Sequence, residues 1–397
     1  GIAGRERPTG KLVWFHAASI GESQSTLILL DALLQRYPDL NALVTTGTVT
    51  SASLMEKRLP RRAFHQYYPL DHPKWVATFL DHWQPDCALW MESEIWPNMI
   101  GEINKRKIPA ALVNARLSEQ SFKRWKLAAG DIKVLLEAFS VCLAQTNEDA
   151  AHFTRLGATN VITTDNLKYS AAPLPCDESD LKTLKNAVKD RPLWLYASTH
   201  DPEEEIACRI HKHLQKKLPD LLTVIVPRHP DRRESIQKAC EKYGLTVKMR
   251  GNIHTLPTAK DHIYIADTLG ELGLFYRLSP IACIGRSFSS DGGGGHNPIE
   301  AAQLGCALLH GPNVQNLAAI FEDFDSAGAA IRLKTEQDFQ NRLERLLTDS
   351  DGLDALQNKA HRFSQDKAKV LDKVLRTLTP LLQSLEEQQE KQHRTCP

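Results

Sequence analysis

Short apolar runs rich in β-forming residues, each bounded by polar or turn residues, alternate along this chain with longer amphipathic stretches. Leu12–Phe15, Ala42–Thr45, Ala88–Met91, Ala110–Val113, Val141–Ala144 and Val161–Thr164 form a first set. Leu193–Ala197, Leu222–Val226, Leu245–Met249, Ile263–Ala266, Ile281–Ile284, Ala307–His310 and Ala330–Leu333 form a second. Continuous short apolar runs of this kind are expected of parallel strands covered on both faces. The stretches between them, such as Ser25–Arg36 with Leu29, Ala32, Leu33 and Arg36 at helical spacing, supply the covering helices. Strand–helix alternation predicts a doubly wound α/β arrangement. The alternation stops once, at Ala171-Ala172-Pro173-Leu174-Pro175, followed by Asp177, Glu178 and Asp180. This reads as a linker. The prediction is two Rossmann-like domains, 1–172 and 173–397, facing a central cleft, with a charged helix over 365–389 that folds back on the first domain. The end of that helix carries Glu386, Glu387, Glu390 and Lys391. Ligands of open α/β sheets sit beyond the carboxyl ends of the strands, so the residues just after each run are the ones to inspect.

Composition narrows the function classes. With 42% hydrophobic and 24% charged residues, the 397-residue chain is expected to be globular and long enough for two cores. A net charge of +1 gives no general attraction for nucleic acid, so none is expected as a partner. The eight cysteines form no C-x-x-C and no zinc-spaced cluster, and Cys142, Cys283 and Cys306 lie inside apolar runs. A reducing, cytoplasmic setting is expected. No apolar run reaches the roughly 18 residues of a spanning helix. The chain starts Gly-Ile-Ala-Gly rather than with Met, which leaves room for an upstream anchor.

Several motifs follow strands. His16-Ala17-Ala18-Ser19-Ile20-Gly21-Glu22-Ser23 carries a glycine for a tight turn and a carboxylate, Glu22, placed to take a proton from an alcohol. Helix capping explains the same acid equally simply. Met91-Glu92-Ser93-Glu94-Ile95-Trp96-Pro97-Asn98 holds two carboxylates that are costly to bury unpaired; solvated loop acids are the alternative. Asp165-Asn166-Leu167-Lys168-Tyr169 places a lysine beside the linker, where it could neutralise a phosphate or carboxylate; an ordinary surface lysine is the alternative. In Ser290-Asp291-Gly292-Gly293-Gly294-Gly295-His296-Asn297-Pro298-Ile299-Glu300-Ala301-Ala302, backbone N–H groups of the glycine turn and a helix start suit an anion, and Glu300 suits ribose hydroxyls. It is neither a Walker motif nor a dinucleotide fingerprint. Pro227-Arg228-His229-Pro230 and Asp267-Thr268-Leu269-Gly270-Glu271-Leu272 add a phosphate-competent arginine and a second turn. Glu203-Glu204-Glu205 after Ser198-Thr199-His200 reads as dipole-complementing acids at a helix start. Asp323-Phe324-Asp325 and Asp349-Ser350-Asp351 have D-x-D spacing but read as surface acids.

Taken in order, these motifs, together with Asn114-Ala115-Arg116-Leu117-Ser118, resemble those of bacterial 3-deoxy-D-manno-octulosonic acid (Kdo) transferases, over about residues 11–333. The resemblance implies a GT-B fold and an inverting, metal-independent transfer with no cofactor. The donor would be CMP-Kdo and the acceptor a lipid A precursor (lipid IVA), in lipopolysaccharide inner-core synthesis. The first domain would take the acceptor and the second the donor. Carried over by motif, Glu22 would be the general base, assisted by Glu92 and Lys168. Pro227, Arg228, Leu269, Gly270, Glu271, Asn297, Pro298, Ile299 and Glu300 would hold CMP. Ser19, Gly21, Arg116, Ser198, Gly294, Gly295 and His296 are candidate donor or acceptor contacts. The implied location is the cytoplasmic face of the inner membrane, reached through an N-terminal anchor that this chain lacks. An anionic membrane surface is a further expected partner, met by Lys105-Arg106-Lys107 and Lys123-Arg124-Trp125-Lys126. Asp165 and Arg286 stand where the family pattern has glycine, and the glycine run is two residues longer. A GT-B enzyme acting on a UDP-sugar, as transferase or epimerase, and a non-enzymatic nucleotide-binding protein are the alternatives.

Overall fold

A computed structural model describes residues 3–251 and 253–394. The side chains of Glu386, Glu387, Glu390 and Lys391, and Cys396 entirely, lie outside the described part. The chain divides into two compact units. One runs to Ala171 and resumes at Lys367; the other is Ala172–Asp366.

In the first unit, β1 (Leu12–Ala17), β2 (Asn41–Thr46), β3 (Ala63–Tyr67), β4 (Cys87–Met91), β5 (Ala110–Ala115), β6 (Val141–Ala144) and β7 (Val161–Thr163) form one sheet. Its order is β3-β2-β1-β4-β5-β6-β7 and its pairings are parallel. The period-two geometry of a strand divides β1 between two cores. Leu12 and Trp14 pack with Val76, Phe79, Trp83 and Met99 on one face. Val13 and Phe15 pack with Leu29, Leu30 and Leu33 on the other. Both faces being covered is why the run is apolar throughout. Val370, Val374, Leu378 and Leu382, four residues apart on the helix Val370–Arg394, complete that second core. The Ser170 hydroxyl donates to Ala368 O and accepts from Leu371 N, fixing the start of this helix. The charged segment expected as one helix from 365 is therefore two, Ser350–Lys367 and Val370–Arg394.

The second unit repeats the plan. It comprises β8 (Leu193–Thr199), β9 (Leu222–Pro227), β10 (Val247–Met249), β11 (Ile263–Ile265), β12 (Ile281–Ile284), β13 (Ala307–His310) and β14 (Ala330–Arg332), in the order β10-β11-β9-β8-β12-β13-β14. Trp194 and Tyr196 of β8 pack with Ile206, Ile210, Leu214 and Phe339. These two seven-stranded parallel sheets are those of a GT-B fold.

Strand β3 was not anticipated. It is an edge strand, Ala-Phe-His-Gln-Tyr, only partly buried, so it has no continuous apolar run. In each sheet the direction of winding reverses once, between β1 and β4 and between β8 and β12. Those reversals open crevices at the strand ends.

Candidate active site

In the first unit the charged strand-end residues fall on both sides of the reversal. Ser19 caps the helix Ile20–Arg36, its hydroxyl accepting from Glu22 N at 3.3 Å. Glu22 reaches back in turn: one carboxylate oxygen accepts from Ala18 N at 2.8 Å and the other from the Ser19 hydroxyl at 2.9 Å. This is a variant of the capping box in which the acid takes the N–H of the residue before the N-cap, so the structural role open to Glu22 is present. The helix also buries the acid to 7% exposure. Burial, and then the charge of Glu92, push its pKa up to about 7 against the two hydrogen bonds. A carboxylate tuned to neutrality serves proton transfer at physiological pH.

Glu92 follows β4 in a left-handed conformation, φ 54°, and its N–H donates to Val113 O of β5 at 3.0 Å. Its pKa is raised by burial, opposed by Lys168 and Arg116. Burial lowers the pKa of Lys168, with Glu92 opposing, Arg116 reinforcing and Glu22 opposing. The structure therefore brings Glu22, Glu92, Lys168 and Arg116 into one electrostatic cluster at the ends of β1, β4, β5 and β7. Gly21 does not make the tight turn expected of it. It lies within the helix, and a Cβ there would stand 3.4 Å from Lys168 Nζ, so a bare backbone gives the ammonium room.

The loop bearing Lys168 is held by residues that the sequence reading left out of the site. Buried Asn114 (φ 54°) accepts Leu167 N at 2.9 Å. Gln145 bridges, donating to Asn114 O at 2.9 Å and accepting from Asn166 Nδ2 at 2.9 Å. Asn166 in turn accepts Lys168 N at 3.0 Å. His16 is buried between Tyr68 and Trp90, with ring centroids at 4.2 and 4.4 Å, and burial lowers its pKa to about 3. It is a neutral core residue.

In the second unit, Ser198, next to last in β8, has φ 60°, and Gly285 after β12 lies so close that a Cβ there would be 2.4 Å from Ser198 O. Glu203 organises these strand ends. Its carboxylate accepts from the N–H groups of His200, Arg286, Ser287 and Phe288 at 2.7–2.9 Å. Glu204 accepts from Thr199 Oγ1 and is paired with Arg232. These acids were expected only to complement a helix dipole. Their tertiary partners lie up to 85 residues away, beyond the reach of local pattern.

The glycine run departs from expectation. Gly292, Gly293, Gly294 and Gly295 all have positive φ, and a Cβ at 293, 294 or 295 would come within 2.2–2.8 Å of Asn313, Asn316 or Phe321. The N–H groups of 293, 294, 295 and His296 already donate to Asp291, Asn313 O, Arg286 O and Gly285 O. Their backbone donors are thus spent within the fold rather than aimed at an anion. Pro298 is the N-cap of a five-residue helix, Ile299–Gln303. Asn297 accepts Ile299 N and donates to Glu300 at 3.2 Å. Burial raises the Glu300 pKa, with the Asn297 hydrogen bond opposing.

Near β11, Leu269 is 78% exposed and Gly270 is left-handed, φ 86°. The Glu271 carboxylate is engaged by Arg250, bidentately at 2.7 Å, and by Thr268. It anchors the turn. Pro227 ends β9, and Arg228 follows it, exposed, with its N–H on Thr199 O. No ion pair or side-chain hydrogen bond of Arg228 is found among the described residues.

Arg286 (φ 59°) and Asp165 (φ 71°), the two departures from glycine, both sit in the left-handed region. Each is tethered by an ion pair, Arg286 to Asp291 at 3.3 Å and Asp165 to Lys367 at 2.6 Å. Among the described residues, two carboxylate–imidazole groups have ligand atoms mutually within reach of one metal ion: Glu119, Glu148 and His152, and Asp180, His254 and Glu271. Arg250 already supplies a cation to the second. Neither includes the D-x-D segments; of those, Asp325 is bound to His310.

A family model for "3-Deoxy-D-manno-octulosonic-acid transferase (kdotransferase)" matches residues 1–171. The 3-deoxy-D-manno-octulosonic acid transferase of Rickettsia felis is 35% identical over 373 residues, 94% of this chain and 79% of that protein. The Haemophilus influenzae protein of the same name is 30% identical over 380 residues, 95% and 88% of the two chains. Among solved structures, a Rickettsia africae glycosyltransferase aligns with TM-score 0.61 at 11% identity, covering 94% of this chain and 99% of its own. Acinetobacter baumannii MurG aligns with TM-score 0.57 at 13%, covering 92% and 100%. The UDP-GlcNAc 2-epimerase of Neisseria meningitidis aligns with TM-score 0.56 at 15%, covering 92% and 100%. At these identities the structural likenesses establish the fold.

Proposed function

The chain belongs to the 3-deoxy-D-manno-octulosonic acid (Kdo) transferase family, glycosyltransferases of lipopolysaccharide biosynthesis, and from that membership we propose that it moves Kdo from CMP-Kdo to a lipid A precursor, lipid IVA, with inversion and without a metal. The observation that carries the residue roles is the cluster of Glu22, Glu92, Lys168 and Arg116, in which Glu22 is tuned to about 7. Glu22 takes the proton of the attacking acceptor hydroxyl. The new bond forms on the face of the anomeric carbon opposite the departing CMP. Glu92 holds Lys168 charged, and Lys168 meets the negative charge that the leaving group acquires. The first unit receives the acceptor.

The second unit receives CMP. Arg228 offers an unshared guanidinium for the phosphate, and Glu300 with Asn297 faces the ribose. Pro227, Leu269, Gly270, Pro298 and Ile299 shape the base and sugar pocket, Glu271 acting through the turn it anchors. Ser198, Gly294, Gly295 and His296 border this region. Ser19, Gly21 and Arg116 border the acceptor side.

A lipid acceptor at the cytoplasmic face of the inner membrane is supported by six of the large apolar side chains exposed on the first unit; Leu127 and Val134, also exposed, lie at a helix end and within a helix instead. Ile20, Val49, Tyr67, Leu70, Trp75 and Trp96 are 39–76% exposed. All lie between the carboxyl end of a strand and the first turn of the following helix, the same end of the sheet as Glu22. The basic segments are a weaker membrane anchor than their sequence implies. Lys105, Arg106 and Lys123 are paired with Glu102, Asp81 or Glu119, and Trp125 packs against the core. Lys107, Arg124 and Lys126 stay exposed for an anionic surface. Among the described residues no helix is long and apolar enough to cross a membrane.

Calorimetry tests the donor reading. CMP is expected to bind at least tenfold more tightly than UDP, and Arg228→Gln and Glu300→Gln are each expected to weaken CMP binding by about tenfold, as loss of a charge-assisted hydrogen bond does. Equal affinity for UDP would favour the UDP-sugar alternative that the epimerase-like fold leaves open.

A further inference from the structure

At the reversal of the second sheet, a hydrogen-bonded histidine pair and an aspartate in ion-pair contact with it form a line whose proton chemistry the donor reading above does not use. His200 follows β8, and His296 follows the glycine run after β12. Their Nε2 atoms are 3.0 Å apart, with the rings stacked at 5.2 Å between centroids. His200 Nδ1 is 3.3 Å from Asp291 Oδ2. Asp291 accepts further from Ser289 Oγ and Gly293 N, which fixes it within the loop.

The proton inventory of this line is constrained. The Asp291 carboxylate, 3.3 Å from Nδ1, favours the His200 tautomer that carries its hydrogen on that nitrogen. A neutral His200 then has a bare Nε2, and His296 must donate its Nε2–H across the 3.0 Å gap. That leaves His296 Nδ1 bare. One added proton can settle there, with the inner proton shared between the two Nε2 atoms and the charge balanced by Asp291.

The surroundings oppose that extra proton. Burial lowers the pKa of His200, reinforced by Arg286, His229 and Arg232 and opposed by Asp291. Burial, His200, Arg228 and Arg286 bring His296 down to about 4, again with Asp291 opposing. Glu203 binds the His200 N–H, and Glu204 pairs with Arg232. Arg286 and Arg232 are balanced by Asp291 and Glu204, so Arg228 is the guanidinium near the pair with no ion pair among the described residues, and an anion bound there would offset its effect on His296.

We propose that Asp291, His200 and His296 form a proton-sharing chain, and that binding of the anionic CMP-Kdo donor at these strand ends is coupled to uptake of one proton by the histidine pair. This rests on the donor reading above. The CMP-Kdo phosphodiester and the Kdo carboxylate titrate well below neutrality, so a proton taken up near pH 7 belongs to the protein. His200 does not touch the donor in this scheme. It is a positioning residue that holds His296 and carries the relay to Asp291.

The test is calorimetric titration of CMP-Kdo into the full chain carrying Glu22→Gln, with no acceptor, at pH 7 in buffers of different ionisation enthalpy. About 0.5–1 proton is expected to be taken up, and the dissociation constant is expected to rise by up to about tenfold per pH unit between pH 6.5 and 8. His200→Gln, or Asp291→Asn if the former does not fold, is expected to bring uptake close to zero and flatten the pH dependence. A purely structural histidine pair would leave uptake near zero in the parent, or unchanged in both variants, and either result overturns the proposal. Arg228→Gln and Glu300→Gln separate the two levels. Parental CMP-Kdo affinity in both removes the donor reading itself, whereas weakened affinity with no proton uptake removes the proton chain alone.

Discussion

Glu22→Gln is expected to lower kcat by about 10²–10⁴-fold, the usual contribution of a general base, while CMP affinity stays within about twofold. The amide keeps the shape of the side chain and one of its acceptors, so the cap with Ala18 and Ser19 is largely retained. What is lost is the group that titrates. Because burial and Glu92 raise that carboxyl to about 7, the active, ionised form accumulates as pH rises through 7, and kcat/KM should climb with it. Glu92→Gln removes the second largest upward influence, so the acid limb should move to lower pH. The sign for stability is the reverse. A carboxyl whose folded pKa is raised contributes most below its unfolded value near 4.5, and that contribution is lost as pH rises through about 7. Glu22→Gln should therefore be more stable than the parent at pH 8, by on the order of 1–3 kcal/mol, and close to it at pH 5. A variant with full kcat, beside an inactive Glu92→Gln, would transfer the base role to Glu92.

Glu203→Ala is expected to cost the second unit about 3–5 kcal/mol, the range for breaking a buried charged network. Its carboxylate is wholly buried and satisfies four backbone N–H groups on two segments, His200 after β8 and Arg286, Ser287 and Phe288 after β12. Removing it leaves those donors unsatisfied, each a penalty of about 1–3 kcal/mol before relaxation. In a domain of this size the melting transition should fall by about 10 °C. Any CMP binding that survives should be weakened, since the same acid holds the strand ends that carry Ser198 and His200. Urea denaturation reads the first effect directly, and a loss below about 1 kcal/mol would mean that the loop is held by other means.

Glu203 also marks where the sequence stops being legible. Strands buried on both faces announce themselves as unbroken apolar runs. That is why β1, β4 and β12 could be read, and why β3, a half-buried edge strand whose centre is the polar pair His65 and Gln66, could not. Glu22, Glu92 and Lys168 were recognisable because each follows such a run, and parallel topology then carries strand ends to one side of a sheet. Their convergence about the β1–β4 reversal depends on sheet order, which periodicity does not encode. The supports are the least legible. The Asn114–Gln145–Asn166 bridge and the four donors to Glu203 join residues tens of positions apart. The glycine run was visible but its reason was not. A run of glycines looks the same whether its N–H groups face a ligand or, as here, its missing side chains admit Asn313, Asn316 and Phe321. Gly21 teaches the same lesson, since only the structure shows Lys168 beside it.

The central claim is that this chain transfers Kdo from CMP-Kdo to a lipid A precursor. The mass spectrum of a reaction containing the purified chain, CMP-Kdo and lipid IVA, run with and without a metal chelator, tests it most directly. The account predicts a lipid product heavier by whole Kdo residues, formed equally with chelator present and reduced to a trace by Glu22→Gln. An unmodified lipid in the presence of intact, folded protein, or product formed from a UDP-sugar in place of CMP-Kdo, would contradict it.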